Sequence, residues 1–387
     1  MNNGIRSIIA EPAYKAARLV SDAVEQHFAA QLAAAAERGE PNLAPEPSKY
    51  TIEHIIDIAF WTSLRKEEGR SPKISIAFLP PFQSEHPLTF EQRLPLSVDV
   101  LTKLAPAVER SGIHLGVWQD GGEIYIWGTT HTVPGFCFVL EVVEPGLLVI
   151  KHRRVDGFGK YVNVAVLKGD EVKVIDERSI YQPDCPKLLN SLLGFTAQST
   201  WTSPVNLHVQ LAVSMRAHGH GGMLLIVPSD SEKWRESIID PISYAVNPAF
   251  TGLAKLMAMD VSKRDLALWQ EQLADEIDCV AGLTAVDGAT IINDKHELLA
   301  FGAKITRPYG AETVREIMVT EPVIDSEAQI ISPGQDGGTR HFSAAQFVYD
   351  QRDAFALVAS QDGRFTIFSW SPCDGIVHAH RVESLLL

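Results

Sequence analysis

Cationic side chains are in the minority. Lys plus Arg number 34 against 48 Asp plus Glu in 387 residues, a formal charge of −14. That balance excludes a broad nucleic-acid-coating surface, because affinity for a polyphosphate comes mainly from cationic neutralisation. It leaves open a small nucleotide held in a locally basic pocket. Cysteine is scarce as well. Cys137, Cys185, Cys279 and Cys373 are scattered with no CxxC pair, which argues against a zinc knuckle or a disulfide frame and reads as buried thiols in a reducing compartment. No stretch of eighteen apolar residues occurs, so no transmembrane helix is expected. Met1 to Ala10 shows no signal-peptide core or cleavage site. The expected location is the cytoplasm, with neither a membrane nor a nucleic-acid polymer as partner. Also missing are the phosphate loop GxxxxGK with Ser or Thr, the nucleophile elbow GxSxG, and the zinc motif HExxH.

What is present is enough apolar sequence, 45%, for one or more sizeable cores, and length for two or three domains. Pro12 to Arg38 reads as a helix with Val20, Val24, Phe28 and Leu32 on one stripe and Gly39 ending it. A second helix is expected from Thr51 to Arg65, a strand from Lys73 to Leu79, and a third helix from Leu94 to Arg110. From Gly112 the period changes to two. Three hairpins are expected around Gln119–Gly122, Pro145-Gly146 and Lys168–Asp170, giving six short strands in a mostly antiparallel sheet. Residues 1–200 thus read as an N-terminal α+β domain with antiparallel hairpins, in which nothing has catalytic spacing. A boundary is placed at Ser191 to Pro204.

Residues 201–387 read as a second domain in which helices and strands alternate. Helices are expected at Val205–Ala217, near Gly252–Met259, and from Ser262, where Ser262 and Asp265 resemble a capping pair and Leu266, Trp269, Leu273 and Ile277 form the apolar stripe. Strands are expected at Met223–Pro228, Leu283–Val286, Ala289–Asn293, Glu297–Ala303, Ala354–Ser360 and Arg364–Trp370, with a short helix at His341–Tyr349. Lys304 to Gly337 reads as irregular.

Three short segments carry candidate chemistry. Gly337-Gly338-Thr339-Arg340-His341 joins approachable backbone, a hydroxyl, a guanidinium and an imidazole at a helix entry, four anion-binding devices in five residues. Asp287-Gly288-Ala289 places a carboxylate beside glycine at a strand entry, suited to a metal or a hydroxyl; alone it reads as a common turn. Ser360-Gln361-Asp362-Gly363 reads alone as a hairpin turn. The run Asp156-Gly157-Phe158-Gly159-Lys160 lacks a following helix and reads as a turn. His218 and His220 form half of a metal site at best, and His378 and His380 are expected in solvent.

In order and spacing the three segments resemble the diadenylate cyclase domain family, from about Val205 to Ile367. Gly221–Pro228 looks like that family's early buried strand, and Arg352–Ser360 like the strand before its last motif. The first 200 residues more loosely resemble the DACNV-like sensor regions found ahead of such domains. The resemblance implies a mixed sheet flanked by helices, an α+β or α/β fold, with one ATP per domain. It further implies two copies of the chain meeting face to face as a homodimer to make cyclic di-AMP and two pyrophosphates. Asp287 would activate the attacking hydroxyl and, with His341, hold Mg²⁺ or Mn²⁺. Gly288, Ala289, Gly338, Thr339, Arg340, His341, Ser360 and Gln361 would bind the nucleotide. Two positions depart from the family: Phe342 stands where a second arginine is usual, and Gln361 where a glutamate is usual. Lys304, Arg307 or Arg315 would supply the missing positive charge. Those two departures favour the alternative reading, an inactive cyclase-like module that senses a nucleotide without turning it over.

Overall fold

The computed structural model describes residues 13–154, 161–176, 204–260 and 267–387, with backbone alone at 204–206 and 267. The chain divides into two compact units, residues 1–175 with Leu387, and 176–386. The fold is α+β, with helices and two mixed sheets of 8 and 9 strands.

The first unit begins with helices α1 (Lys15–Glu37) and α2 (Lys49–Ser63). Ser48 caps α2, its hydroxyl accepting from the Thr51 amide at 3.2 Å. Strands β1 (Ile74–Phe78) and β2 (Leu88–Pro95), helix α3 (Val98–Leu104), then β3 (His114–Asp120), β4 (Glu123–Thr130), β5 (Phe138–Glu144), β6 (Leu147–Arg153), β7 (Tyr161–Lys168) and β8 (Glu171–Val174) follow. The sheet order is β2-β4-β3-β1-β5-β6-β7-β8, with β1–β3 its parallel pair. Because side chains alternate along a strand, one face presents Ile76, Phe78, Leu140 and Ile150 to Val24, Phe28, Ile52 and Ile55 of the helices. The other face holds a smaller cluster around Ala77, Leu79, Cys137 and Trp127. Trp127 donates its indole N–H to the Leu79 carbonyl at 2.8 Å. Its ring lies where a side chain on Gly116 would stand, 2.0 Å from an added Cβ.

The three expected hairpins are present. The helix expected over Leu94–Arg110 is present but shorter: Leu94 and Pro95 end β2, α3 runs for 7 residues from the Ser97 cap, and a 3-10 turn follows with Pro106 in its first turn. The strand β2 is a sheet edge lying mostly in solvent, so no alternation marks it in the sequence.

The second unit runs α4 (Pro204–Ala217), β9 (Gly222–Val227), β10 (Tyr244–Phe250), α5 (Gly252–Ala258), α6 (Ala267–Leu283), β11 (Ala289–Asn293) and β12 (Leu298–Ala303). It continues with β13 (Ile317–Thr320), β14 (Gln329–Ile331), α7 (Pro333–Asp336), α8 (Thr339–Asp350), β15 (Phe355–Ala359), β16 (Phe365–Ser371) and β17 (Ile376–Arg381). The sheet order is β10-β12-β11-β9-β15-β16-β17-β13-β14. The pairs β9–β11 and β13–β17 are parallel. Helix α8 lays Ala344, Ala345, Phe347 and Val348 against Leu225, Ile291, Val358 and Phe368 on one sheet face, while α4 packs against α6 and β15.

Several expectations are corrected here. Leu283–Val286 is no strand: Leu283 ends α6, and the amides of Thr284, Ala285 and Val286 reach back three residues to successive carbonyls. Lys304–Gly337 is not irregular throughout, since β13, β14 and α7 lie in it. A strand no expectation covered, β10, contains Pro248; as an edge strand it tolerates the missing donor. His378 and His380 are buried rather than solvated, 4% and 1% exposed, because β17 lies inside the sheet. Of the cysteines, Cys137 is buried but Cys279 and Cys373 are exposed. The turn at 156–160, the capping pair Ser262 and Asp265, Leu266, Cys185 and the boundary at 191–203 lie outside the described residues. Among the described residues no helix is long and apolar enough to cross a membrane.

Candidate functional site

Sheet register brings four strand ends together. β9 and β11 are parallel and start side by side, with Thr290 opposite Leu224. β12 runs antiparallel to β11 and ends beside its start, Ala303 opposite Ala289. β15 runs antiparallel to β9 and likewise ends at its start, Ala359 opposite Gly222. The residues just beyond those ends are therefore neighbours: Asp287 and Gly288 before β11, Lys304 after β12, Gly221 before β9, and Ser360 and Gln361 after β15. The N-terminus of α8 meets the same end, and together they enclose a cleft of about 810 Å³.

The nine residues to which the resemblance assigns catalytic or nucleotide-binding roles, Asp287, Gly288, Ala289, Gly338, Thr339, Arg340, His341, Ser360 and Gln361, line this one cleft. Its floor is made of small or apolar side chains at the strand ends, Met223, Ala289, Ala303 and Ala359, with Ile239 and Ile305 at one side. None of Met223, Ile239, Ala303, Ile305 or Ser343 carries a motif of its own. Strand register places Met223 and Ala303 here, and α8 places Ser343.

Each segment has a local reason for its shape. Gly288 has φ +121°, and a Cβ there would stand 2.5 Å from the Gly302 carbonyl carbon. It is glycine because β12 passes against it, so close approach to a neighbouring strand accounts for this residue before any ligand is considered. Gly338 begins α8, and its would-be Cβ meets nothing within 4 Å. The His341 and Phe342 amides bond the Gly338 carbonyl at 3.0 and 3.2 Å, while the Thr339 and Arg340 N–H groups before them lie in the first turn, where a helix has no intrahelical acceptor and presents partial positive charge. Just upstream, Asp336 is buried, and its Oδ1 accepts from Arg381 Nη2 at 2.8 Å and Nε at 3.0 Å, pinning the approach to α8. That pair was missed in the sequence because its partners are 45 residues apart.

His341 is 3% exposed, its Nε2 3.3 Å from the Thr366 hydroxyl and its ring against Gly337. Burial lowers its pKa from the usual histidine value, opposed by the nearby carboxylates of Asp336 and Asp362, so the ring is neutral near pH 7. The Arg340 guanidinium comes within 3.2 Å of a Cβ added to Gly221, spanning from α8 to the start of β9. Gln361 donates its amide to the His220 carbonyl at 3.2 Å. Asp362 pairs with Arg364 at 3.4 Å.

The cleft also holds an ion pair. Lys304 Nζ stands 2.5 Å from Asp287 Oδ2, with the two side chains 51% and 88% exposed. The Lys304 ammonium, through its hydrogen bond first and its charge second, and then Arg340, hold the Asp287 carboxyl below the usual carboxylate range. Of the three cations expected to supply extra positive charge, Lys304 lines this cleft. Arg307 bonds the Thr313 hydroxyl instead, and Arg315 lines a separate surface hollow.

The donor set bears on a divalent ion. Among the described residues no group of three or more His, Cys, Asp and Glu side chains could hold a metal by itself. Mg²⁺ commonly takes one or two carboxylates and completes its shell with substrate phosphates and water. Asp287 fits that pattern, an exposed carboxylate in a cleft with room for a phosphate chain.

No curated protein matches the chain. Among solved structures, a hypothetical membrane spanning protein from Bacillus cereus is 14% identical, with a TM-score of 0.27, over 50% of this chain and 70% of that one. DacA from Staphylococcus aureus is 15% identical, with a TM-score of 0.23, over 46% of this chain and 85% of that one. In the first unit, residues 41–131 match the family described as "Probable sensor domain DACNV". They span α2 to β4, so the similarity to that sensor family lies within the first unit.

Proposed function

We propose that the second unit binds ATP and acts as a diadenylate cyclase, a nucleotidyltransferase governed by the sensor segment in the first unit. The observation that carries this reading is the convergence of Asp287–Ala289, Gly338–His341 and Ser360–Gln361 on one cleft. The three segments are separated by tens of residues, and their chemistry is complementary to a nucleotide. The apolar floor suits a base, the α8 N-terminus and Arg340 suit phosphates, and Asp287 stands at the rim.

In this reaction the 3′-hydroxyl oxygen of one ATP forms a bond to the α-phosphorus of the other as its O–H bond breaks and the proton passes to solvent water. The bond from that phosphorus to the bridging oxygen breaks, and pyrophosphate leaves with the electron pair. A second, reciprocal transfer closes the ring of cyclic di-AMP. Each cleft holds one ATP, so two copies of the chain must face each other. The work of the protein is positioning and charge neutralisation. Arg340 and the α8 amides hold phosphate oxygens. Asp287, ionised through the neutral range, is a weak proton acceptor and an effective anchor for positive charge. A bound Mg²⁺ or Mn²⁺, held by Asp287 and the phosphates, would lower the pKa of the attacking hydroxyl and offset charge on the triphosphate.

The test is incubation of the purified full chain with ATP and Mn²⁺ or Mg²⁺, with cyclic di-AMP sought by mass spectrometry. Product from the wild type and none from Asp287→Asn supports the cyclase. A second reading, an inactive nucleotide sensor, is favoured by Gln361, whose amide is committed to the His220 carbonyl where a carboxylate would be expected. It predicts ATP binding and thermal protection without product.

A further inference from the structure

The Lys304–Asp287 pair has no work to do in the fold. Both side chains are largely exposed, and such surface pairs contribute little to stability. The backbone beneath is secured without it: the Lys304 carbonyl accepts from the Ile239 amide at 2.8 Å, and the Thr306 amide donates to the Ser237 carbonyl at 2.9 Å. The lysine is thus anchored at its Cα while a flexible four-carbon stem carries its charge into the cleft. Arg340 bears on the same carboxylate from the α8 side. Two cations from two elements therefore converge on one anion, in a cleft far larger than that anion needs.

Resting on the reading of the cleft as an ATP site, we propose that Lys304 is a phosphate-binding residue that exchanges Asp287 for the nucleotide. A triphosphate carries several negative charges and many acceptor oxygens against one carboxylate, so it takes the ammonium by Coulombic competition. The exchange leaves Asp287 free at the moment the phosphates arrive. Lys304 also supplies a cation to a cleft in which Phe342 follows His341. The ligand feature recognised is the phosphate chain, not the base. Adenosine gains nothing from Lys304.

The experiment is isothermal titration calorimetry on the full chain in EDTA, with ATP and, separately, adenosine. The proteins are wild type, Lys304→Gln and Lys304→Arg; the exposed position makes both replacements compatible with folding. Removing one charge-assisted phosphate contact weakens ATP binding about tenfold in Lys304→Gln, while adenosine binding is unchanged and Lys304→Arg recovers most of the ATP affinity. Unchanged or tighter ATP binding by Lys304→Gln overturns the proposal and leaves the ATP site standing. So does a parallel loss of adenosine, which marks a merely structural role. A wild type that binds neither compound overturns both.

Discussion

The Gln361 side chain donates to the backbone carbonyl of His220 at 3.2 Å, tying the turn after β15 to the loop before β9 across 141 residues of sequence. A carboxylate cannot make that bond. Replacing Gln361 by Glu sets an anion against a carbonyl dipole and costs about 0.5–1 kcal/mol, read as a lower urea midpoint with an unchanged slope. If the cleft is a cyclase site short of a carboxylate, the same variant gains turnover while losing stability. Loss of both would show that the amide is fitted to this chain's own chemistry.

Glycines in the cleft separate fold from ligand. Gly288→Ala puts a Cβ 2.5 Å from the Gly302 carbonyl carbon at φ +121°, so β11 and β12 must shift, at about 2 kcal/mol or more. Gly338→Ala meets nothing within 4 Å and leaves the urea midpoint within about 0.5 kcal/mol of wild type. Any loss of ATP affinity in Gly338→Ala therefore measures how closely the ligand approaches that backbone.

Asp287→Asn removes the anion that holds Lys304. Cyclic di-AMP formation is abolished, yet ATP binding in EDTA becomes tighter because the ammonium is already free. Calorimetry checks the affinity and mass spectrometry the product. Equal turnover in the mutant would remove Asp287 from the mechanism.

Face-to-face catalysis makes rate depend on association. Specific activity rises with protein concentration near the dimer dissociation constant. A flat value across that range, with the oligomeric state followed by analytical ultracentrifugation, argues against paired clefts.

Acid destabilises the second unit through its buried histidines. Burial pushes His208 and His380 each down to about 3, with smaller contributions from His296 and His378 respectively. An unfolded histidine titrates near 6.5, so below that pH the unfolded state binds protons the folded state refuses. Stability present above about pH 6.5 falls as pH drops toward 3, approaching about 1.4 kcal/mol per pH unit for each ring. Urea midpoints at pH 7.5, 6 and 5 trace the slope. His208→Phe, which keeps an aromatic ring beside Phe355, makes it shallower.

Turn chemistry and helical stripes are local, so the sequence determines them. Gly121-Gly122, Pro145-Gly146 and Gly169 set the hairpins of the first unit, Ser48 caps α2, and Val20, Val24 and Phe28 face the core because they share a helix stripe. Residue types in Asp287–Ala289, Gly338–His341 and Ser360–Gln361 already carry the chemistry of phosphate and hydroxyl recognition. Tertiary structure alone decided where they meet. The start of β11, the end of β12, the start of β9 and the end of β15 coincide because of strand pairing over long sequence separations. The same pairing buried His378 and His380 and left β2 and β10 as edges. It also set Lys304 against Asp287, 17 residues apart. Local preference fixes which way a segment bends. Register, a property of two strands at once, fixes which side chains share a cleft.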